Sequence, residues 1–247
     1  MNILGIDIGG TGVKGALVNA TSGELVSERE RIDTPRPATP AAVIEVVHEL
    51  VHRFEHQGPL GVGYPGVILE GHTMTAANLD AGWIGFAAAA AIQQTTGLPT
   101  TLVNDADAAG IAEMRFGAGQ SVNGVVMVFT LGTGIGSALF VDGKLVPNTE
   151  LGHVFLRNQT IDAEKYTSER ARIEEKLKWQ EWAGRLDEYL HLMEDLFWPS
   201  LIILGGGASK DHEKFIPHLT LRTKVVPAEL RNEAGIIGAA MAVTSAQ

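Results

Sequence analysis

Asp7 stands within an apolar run, residues 3–8, and is followed at once by Gly9-Gly10-Thr11-Gly12-Val13-Lys14. A carboxylate on a buried strand is costly to desolvate unless it has a task. With glycines, a hydroxyl and a cation beside it, the chemistry it fits is that of phosphate. Asp7 would hold Mg2+, the turn amides of Gly9, Gly10 and Gly12 and the Thr11 hydroxyl would hold phosphate oxygens, and Lys14 would balance charge. The plainer reading is a turn-forming Asp7 and a solvated Lys14. Against it, the peptide from Gly10 to Val18 returns as Gly132-Thr133-Gly134-Ile135-Gly136-Ser137-Ala138-Leu139-Phe140. Each copy follows an apolar run and leads into another, so each reads as a β-hairpin whose glycine turn admits an anion to the backbone. One copy alone is as readily a hairpin that needs glycine; two imply related halves, each offering a phosphate-holding turn to a shared cleft.

Three further groups carry chemistry. Gly205, Gly206 and Gly207 end the apolar strand at residues 201–204, leaving room for a bulky group against the backbone, with Ser209 set to cap the next helix and Lys210 beside it. The same run also serves as a tight strand–helix connection. Asn104-Asp105 closes one strand and opens a helix. Such residues are ordinary N-caps, yet an Asp there is also where phosphoryl transfer needs a base for the attacking hydroxyl. Glu150-Leu151-Gly152-His153 sets a carboxylate and an imidazole three apart, as sugar-hydroxyl ligands, half a metal site or a structural pair; hydroxyl recognition fits best, since no matching second half stands elsewhere. No Gly-x-x-x-x-Gly-Lys-Ser/Thr occurs, and neither glycine cluster matches a dinucleotide fingerprint.

The elements that must position these groups come in two similar sets. Residues 1–32 read as three strands, a Pro-rich link at residues 35–40 leads to an amphipathic helix at 41–55, and residues 60–64 form a short strand ending at Gly63-Tyr64-Pro65-Gly66. A helix at 86–96, a strand at 100–103 and a helix from Asp105 follow. The second half runs through strands at 124–146, a charged stretch at 162–181 read as a solvated helix or mobile loop, and an aromatic stripe from Trp179 to Phe197 read as core or dimer surface. A strand at 201–204 and a small-residue helix at 232–243 complete it. This pattern predicts an α/β duplicated fold, with an N-terminal lobe at 1–105, a C-terminal lobe at 106–247, and a final helix (232–247) able to pack back on the first lobe.

Composition excludes several classes. The 247-residue chain is long enough for two domains of about 100–150 residues, has no cysteine, and carries a formal charge of −10, which argues against nucleic acid or membrane as partner. No apolar run reaches the roughly 18–20 residues of a bilayer span, and no signal-peptide pattern opens the chain, so a cytoplasmic location is expected.

Asp-x-Gly-Gly-Thr, Gly-Tyr-Pro-Gly, Asn-Asp, Leu-Gly-Thr-Gly-Ile-Gly, Glu-x-Gly-His and a late Gly-Gly-Gly, in that order, resemble the ROK (repressor, open reading frame, kinase) family of sugar kinases. The resemblance implies an actin/hexokinase-type (ribonuclease H-like) fold, two lobes around a central cleft. It implies Asp105 as catalytic base, sugar contacts from Asn104, Asp105, Glu150 and His153 with Asn78 and Gly66 nearby, and donor contacts from Gly10, Thr11, Gly132, Thr133 and Gly134. Most ROK kinases carry a cysteine-rich zinc motif after Glu-x-Gly-His, with a sugar-binding Glu beside it; here no structural zinc is expected, and Glu164 is the candidate replacement or simply a first-turn helix acid. Together with Phe197-Trp198-Pro199 and Leu230-Arg231-Asn232-Glu233-Ala234-Gly235, that departure resembles the polyphosphate glucokinase branch. The implied reaction moves a phosphoryl group from polyphosphate, with ATP a second donor, to the 6-hydroxyl of glucose, with Mg2+, in a homodimer. A strictly ATP-dependent ROK hexokinase is the nearer alternative, a sugar sensor the more distant. The cations Lys210, Lys214, Arg222, Lys224 and Arg231 are either a polyphosphate groove or a solvated surface.

Overall fold

The computed structural model describes residues 1–157 and 159–245, in two compact units. Unit 1 comprises residues 1–112 and 233–247, and unit 2 residues 113–232.

Unit 1 begins with the hairpin β1 (Asn2–Ile8) and β2 (Gly12–Asn19), in which Asp7 pairs with Lys14, followed by β3 (Glu30–Asp33). Helix α1 (Pro40–Arg53) starts where Thr39 accepts the Ala42 amide and Pro40 supplies a preset φ, and buries Val43, Ile44, Val47, Leu50 and Val51. Then come β4 (Leu60–Tyr64), the small pair β5 (Ile68–Leu69) and β6 (His72–Thr73), α2 (Ala88–Thr96), β7 (Thr100–Asn104) and α3 (Asp105–Phe116). The five-stranded sheet has the order β3-β2-β1-β4-β7, with β1, β4 and β7 parallel. Side chains alternate across it: Leu4, Ile6 and Ile8 join the cluster under α1 and α2, leaving Gly5 and Asp7 on the opposite face.

Unit 2 repeats the order. Strands β8 (Val125–Leu131), β9 (Ile135–Val141) and β10 (Lys144–Val146) precede helices α4 (Ala163–Thr167), α5 (Glu169–Glu174) and α6 (Trp179–Phe197), and β11 (Leu201–Gly205) and β12 (Val225–Pro227) complete a sheet of order β10-β9-β8-β11-β12. Two sheets of identical topology bear out the duplicated fold. The aromatic stripe is core: Trp182, Leu186, Tyr189, Leu190 and Met193 of α6 pack on β8 and β11. The Trp182 indole donates to the Thr167 carbonyl at 2.7 Å, fastening α6 to α4.

Helix α7 (Ala234–Ser245) belongs to unit 1 and lies on β1, β4 and β7. It needs glycines beneath it: a Cβ at Gly5 would overlap the Ile236 carbonyl oxygen, and one at Gly61 the Ala239 carbonyl oxygen. The observed division falls inside α3, whereas the sequence division falls at its first residue. Of the two helices read as dimer surfaces, α7 is mostly buried in unit 1, whereas α6 buries one face, with Trp182, Leu186, Tyr189, Leu190 and Met193, and exposes the other. The charged stretch is ordered rather than loose, forming α4 and α5, each opened by a side-chain cap from Asp162 and Ser168 respectively. Among the described residues no helix is long and apolar enough to cross a membrane.

Candidate active site

In unit 1 the carboxyl ends of three parallel strands carry Asp7, Tyr64-Pro65-Gly66 and Asn104-Asp105, the edge at which open α/β sheets bind ligands. The first hairpin closes by a Gly9 amide to Gly12 carbonyl bond of 3.1 Å. Its carbonyls are engaged from outside: Thr34 donates to Gly9, Arg36 to Gly10 at 2.8 Å and Arg31 to Thr11 at 2.8 Å. Arg31 and Arg36, which the sequence reading missed, therefore bring two positive charges to this turn. The Arg-Ile-Asp-Thr-Pro-Arg run after the second strand was the available signal.

Burial raises the Asp7 carboxyl above its ordinary range, and the Lys14 ammonium at 3.5 Å opposes the rise. Asp7 also lies at the start of α7, since a Cβ at Gly235 would be 3.3 Å from its carboxyl carbon. Asn104 is the cap expected of it: its side-chain oxygen accepts the Ala106 and Asp107 amides at 2.9 and 3.0 Å, and its amide nitrogen donates to the Gly66 carbonyl at 3.1 Å. That fixes Gly66 to the start of α3. Asp105, the first residue of α3, accepts the Ala106 amide at 2.8 Å through one oxygen. Asn78 is exposed beside the hairpin, where a Cβ on Gly10 would come within 3.2 Å of its own.

In unit 2 the second hairpin closes by Gly132 amide to Gly134 carbonyl, 3.0 Å. Glu164 is indeed a first-turn acid of α4, and its carboxylate also accepts the Ile135 amide at 3.0 Å, so that a Cβ on Gly134 would collide with it. His153 lies between two acids, with Nδ1 3.3 Å from Asp162 and Nε2 3.8 Å from Glu150. Burial raises the Glu150 carboxyl; the His153 charge opposes this and the Glu164 charge adds to it. Burial would raise Asp162 too, but the Lys165 amide and His153 outweigh it and hold that carboxyl below its usual range. Asp162 is a third residue that sequence reasoning left without a role; it fixes the imidazole and caps α4 together. Glu150, His153, Asp162 and Glu164 thus form one acceptor-rich group suited to vicinal hydroxyls. Among the described residues no three His, Asp or Glu side chains are arranged to hold a metal ion.

The Gly205-Gly206-Gly207 turn follows β11, and Gly206 takes φ 77°. Ser209 is not a helix cap: Gly206 occupies that position before a 3-10 segment, Gly207–Lys214, and the Ser209 hydroxyl donates to the Gly206 carbonyl at 2.8 Å. Lys210 is exposed at the turn. The basic stretch is not a free groove throughout. Lys214 pairs with Asp211 at 2.6 Å, and Arg222 is engaged by Glu194 at 2.9 Å and Asp195 at 2.7 Å.

The ROK family model matches residues 3–171. A polyphosphate glucokinase of Mycobacterium tuberculosis is 46% identical over 241 residues, 96% of this chain and 89% of that protein. Among solved structures, an inorganic polyphosphate/ATP-glucomannokinase from Arthrobacter sp. strain KM superposes with a TM-score of 0.94 at 47% identity, covering 100% of this chain and 99% of the other. A ROK family glucokinase from Streptomyces griseus, in complex with glucose and AMPPNP, gives 0.83 at 25% identity over 97% and 98% of the two chains. The chain belongs to the ROK family.

Proposed function

We propose that this chain is a kinase that transfers the terminal phosphoryl group of inorganic polyphosphate, with ATP as a second donor, to the 6-hydroxyl of glucose. The observation that carries the reading is near-full-length similarity to a polyphosphate glucokinase and to a polyphosphate/ATP-glucomannokinase. The latter favours mannose as a second acceptor. The order of the site residues along the chain and their local geometry agree with it.

In this reading Asp105 takes the proton of the 6-hydroxyl as the oxygen attacks the terminal phosphorus. The phosphorus–oxygen bond to the remaining chain breaks, and polyphosphate leaves one unit shorter. Asn104 fixes the start of α3 and hence the position of Asp105. Glu150, His153 and Glu164 accept and donate to the sugar hydroxyls, with Asp162 holding the imidazole plane. Gly66 and Asn78 border the sugar side. Gly9, Gly10, Thr11, Gly12, Gly132, Thr133 and Gly134 offer backbone and hydroxyl groups to the donor, Gly205, Gly206 and Gly207 leave it room, and Lys14 and Lys210 balance charge. A buried carboxyl with a raised pKa gains from a cation, so Asp7 is the residue that would hold Mg2+, whose chemistry is to neutralise charge on the transferring group. A cytoplasmic homodimer completes the proposal.

The test is glucose 6-phosphate formation with Mg2+, comparing polyphosphate and ATP at equal phosphoryl concentration. Faster turnover with polyphosphate supports the reading; turnover with ATP alone leaves a sugar kinase and removes the polyphosphate donor. Asp105→Asn should lower kcat by about 10²–10⁴-fold while glucose still binds, measured by calorimetry; a mutant that keeps most of its rate removes Asp105 as base.

A further inference from the structure

Three segments of unit 2 meet beside the second hairpin. Gly206 packs so tightly on Leu131 that a Cβ there would lie 2.5 Å from both its amide nitrogen and its carbonyl oxygen. A Cβ at Gly207 would lie 2.8 Å from a Glu169 carboxylate oxygen. The Arg170 amide donates to the Gly132 carbonyl at 3.1 Å. The first turn of α5 is therefore fastened to the hairpin and to the glycine-rich turn at once.

The charges at this junction are not matched to one another. Arg170 is exposed, and its ion-pair contact is a marginal 4.0 Å to Glu174. The Arg172 guanidinium carbon stands over Trp179, 3.8 Å from the ring centroid, with its Nε–H buried and without a protein acceptor. A terminal nitrogen of the same guanidinium is 4.0 Å from Glu169. Leaving a buried guanidinium N–H unpaired is costly, and a water or an anion is what satisfies such a donor. Glu169 itself is half-buried; burial raises its carboxyl, Arg172 and Lys210 pull it down, and Asp211 pushes it up. Arg172 and Lys210 thus act on one half-buried carboxylate beside the glycine-rich turn, Arg170 stands exposed next to it in the chain, and transfer of the terminal phosphoryl group uses none of α5.

We propose that Arg170, Arg172 and Lys210 form an anion track for the donor phosphates beyond the one transferred, with Glu169 as the internal counter-ion that incoming phosphates displace. This rests on polyphosphate being the donor. A long polyanion reaches more of the track than a nucleoside triphosphate does, so α5 is a determinant of donor choice.

Initial rates with Arg170→Ala, Arg172→Ala and Glu169→Gln test it, with circular dichroism as a fold control. Arg170 is the main probe because its exposed side chain can be removed without opening the core. Arg170→Ala should raise KM for long polyphosphate about tenfold or more, the loss of a charge-assisted hydrogen bond. KM for glucose should stay within about twofold, and the slope of log KM against log salt should fall by about one. Glu169→Gln should move KM for polyphosphate the opposite way. Arg222→Ala, a cation already engaged by two carboxylates, should leave that KM unchanged. If Arg170→Ala retains the wild-type KM and salt slope, or if Arg222→Ala matches its effect, the track is refuted while the donor assignment stands. If the wild-type enzyme makes no product from polyphosphate, the donor assignment fails and the track fails with it.

Discussion

Glu194, in the last turn of α6, gives a stability prediction that can be worked through. Its side chain is 2% exposed, and its oxygens accept the Thr223 amide at 2.5 Å and Arg222 Nε at 2.9 Å. Burial by itself would raise the carboxyl, but these hydrogen bonds outweigh it and hold it down at about 2, against an ordinary 4.5. The difference corresponds to about 3 kcal/mol at 1.36 kcal/mol per pH unit. Solvent reaches the network through the half-exposed Arg222 side chain and screens part of this, leaving about 1–2 kcal/mol. Glu194→Gln keeps the shape and removes the charge. Because the folded-state value is depressed, the contribution is present above the ordinary carboxylate range and lost as pH falls toward 2. Urea unfolding should therefore find the wild type more stable than Glu194→Gln by about 1–2 kcal/mol at pH 7. The gap should narrow steadily between about pH 4.5 and pH 3. A gap of equal size at both ends of that window, or none at pH 7, would refute the account.

Other outcomes follow from the two sheets. Gly61→Ala forces a Cβ onto the Ala239 carbonyl and lifts α7 from β4, an overpacking cost of about 1–3 kcal/mol that should lower Tm by roughly 2–10 °C in differential scanning calorimetry. An unchanged Tm would mean that α7 moves aside freely. In the proposed site Glu150 would accept sugar hydroxyls as the anion, and its carboxyl is raised by burial, so on that reading glucose affinity should weaken as pH falls through a value above the usual carboxylate range. In Glu150→Gln that dependence should vanish; titrations of tryptophan fluorescence that keep the same pH profile would point to another group.

Much of the site was legible because its signals are local. A hairpin is written in some twenty consecutive residues, so its recurrence at Gly132 could be seen, and Asn104 could be read as a cap from its place between a strand and a helix. What escaped depends on partners remote in the chain. Arg36 reaches back 26 residues to Gly10 and Arg31 20 residues to Thr11, and neither pairing has a periodicity to betray it. The cations at residues 210–231 looked like a groove because sequence shows charges without their counter-ions; Glu194 and Asp195 lie on a different element from Arg222. Ser209 was misjudged because three glycines before it allow the chain to enter a tighter helix one turn early.

The place of α7 has a consequence for the order in which the protein is made. Unit 2 is one unbroken stretch of chain, whereas the strands of unit 1 emerge from the ribosome long before the helix that covers their glycine-bearing face. Domains fold as units during synthesis, so unit 2 can close around α6 while β1 and β4 still lack their cover. Asp7 meets Gly235 only after residues 113–232 have been translated. The first glycine hairpin thus gains its neighbour in α7 only after the whole of unit 2 has been made.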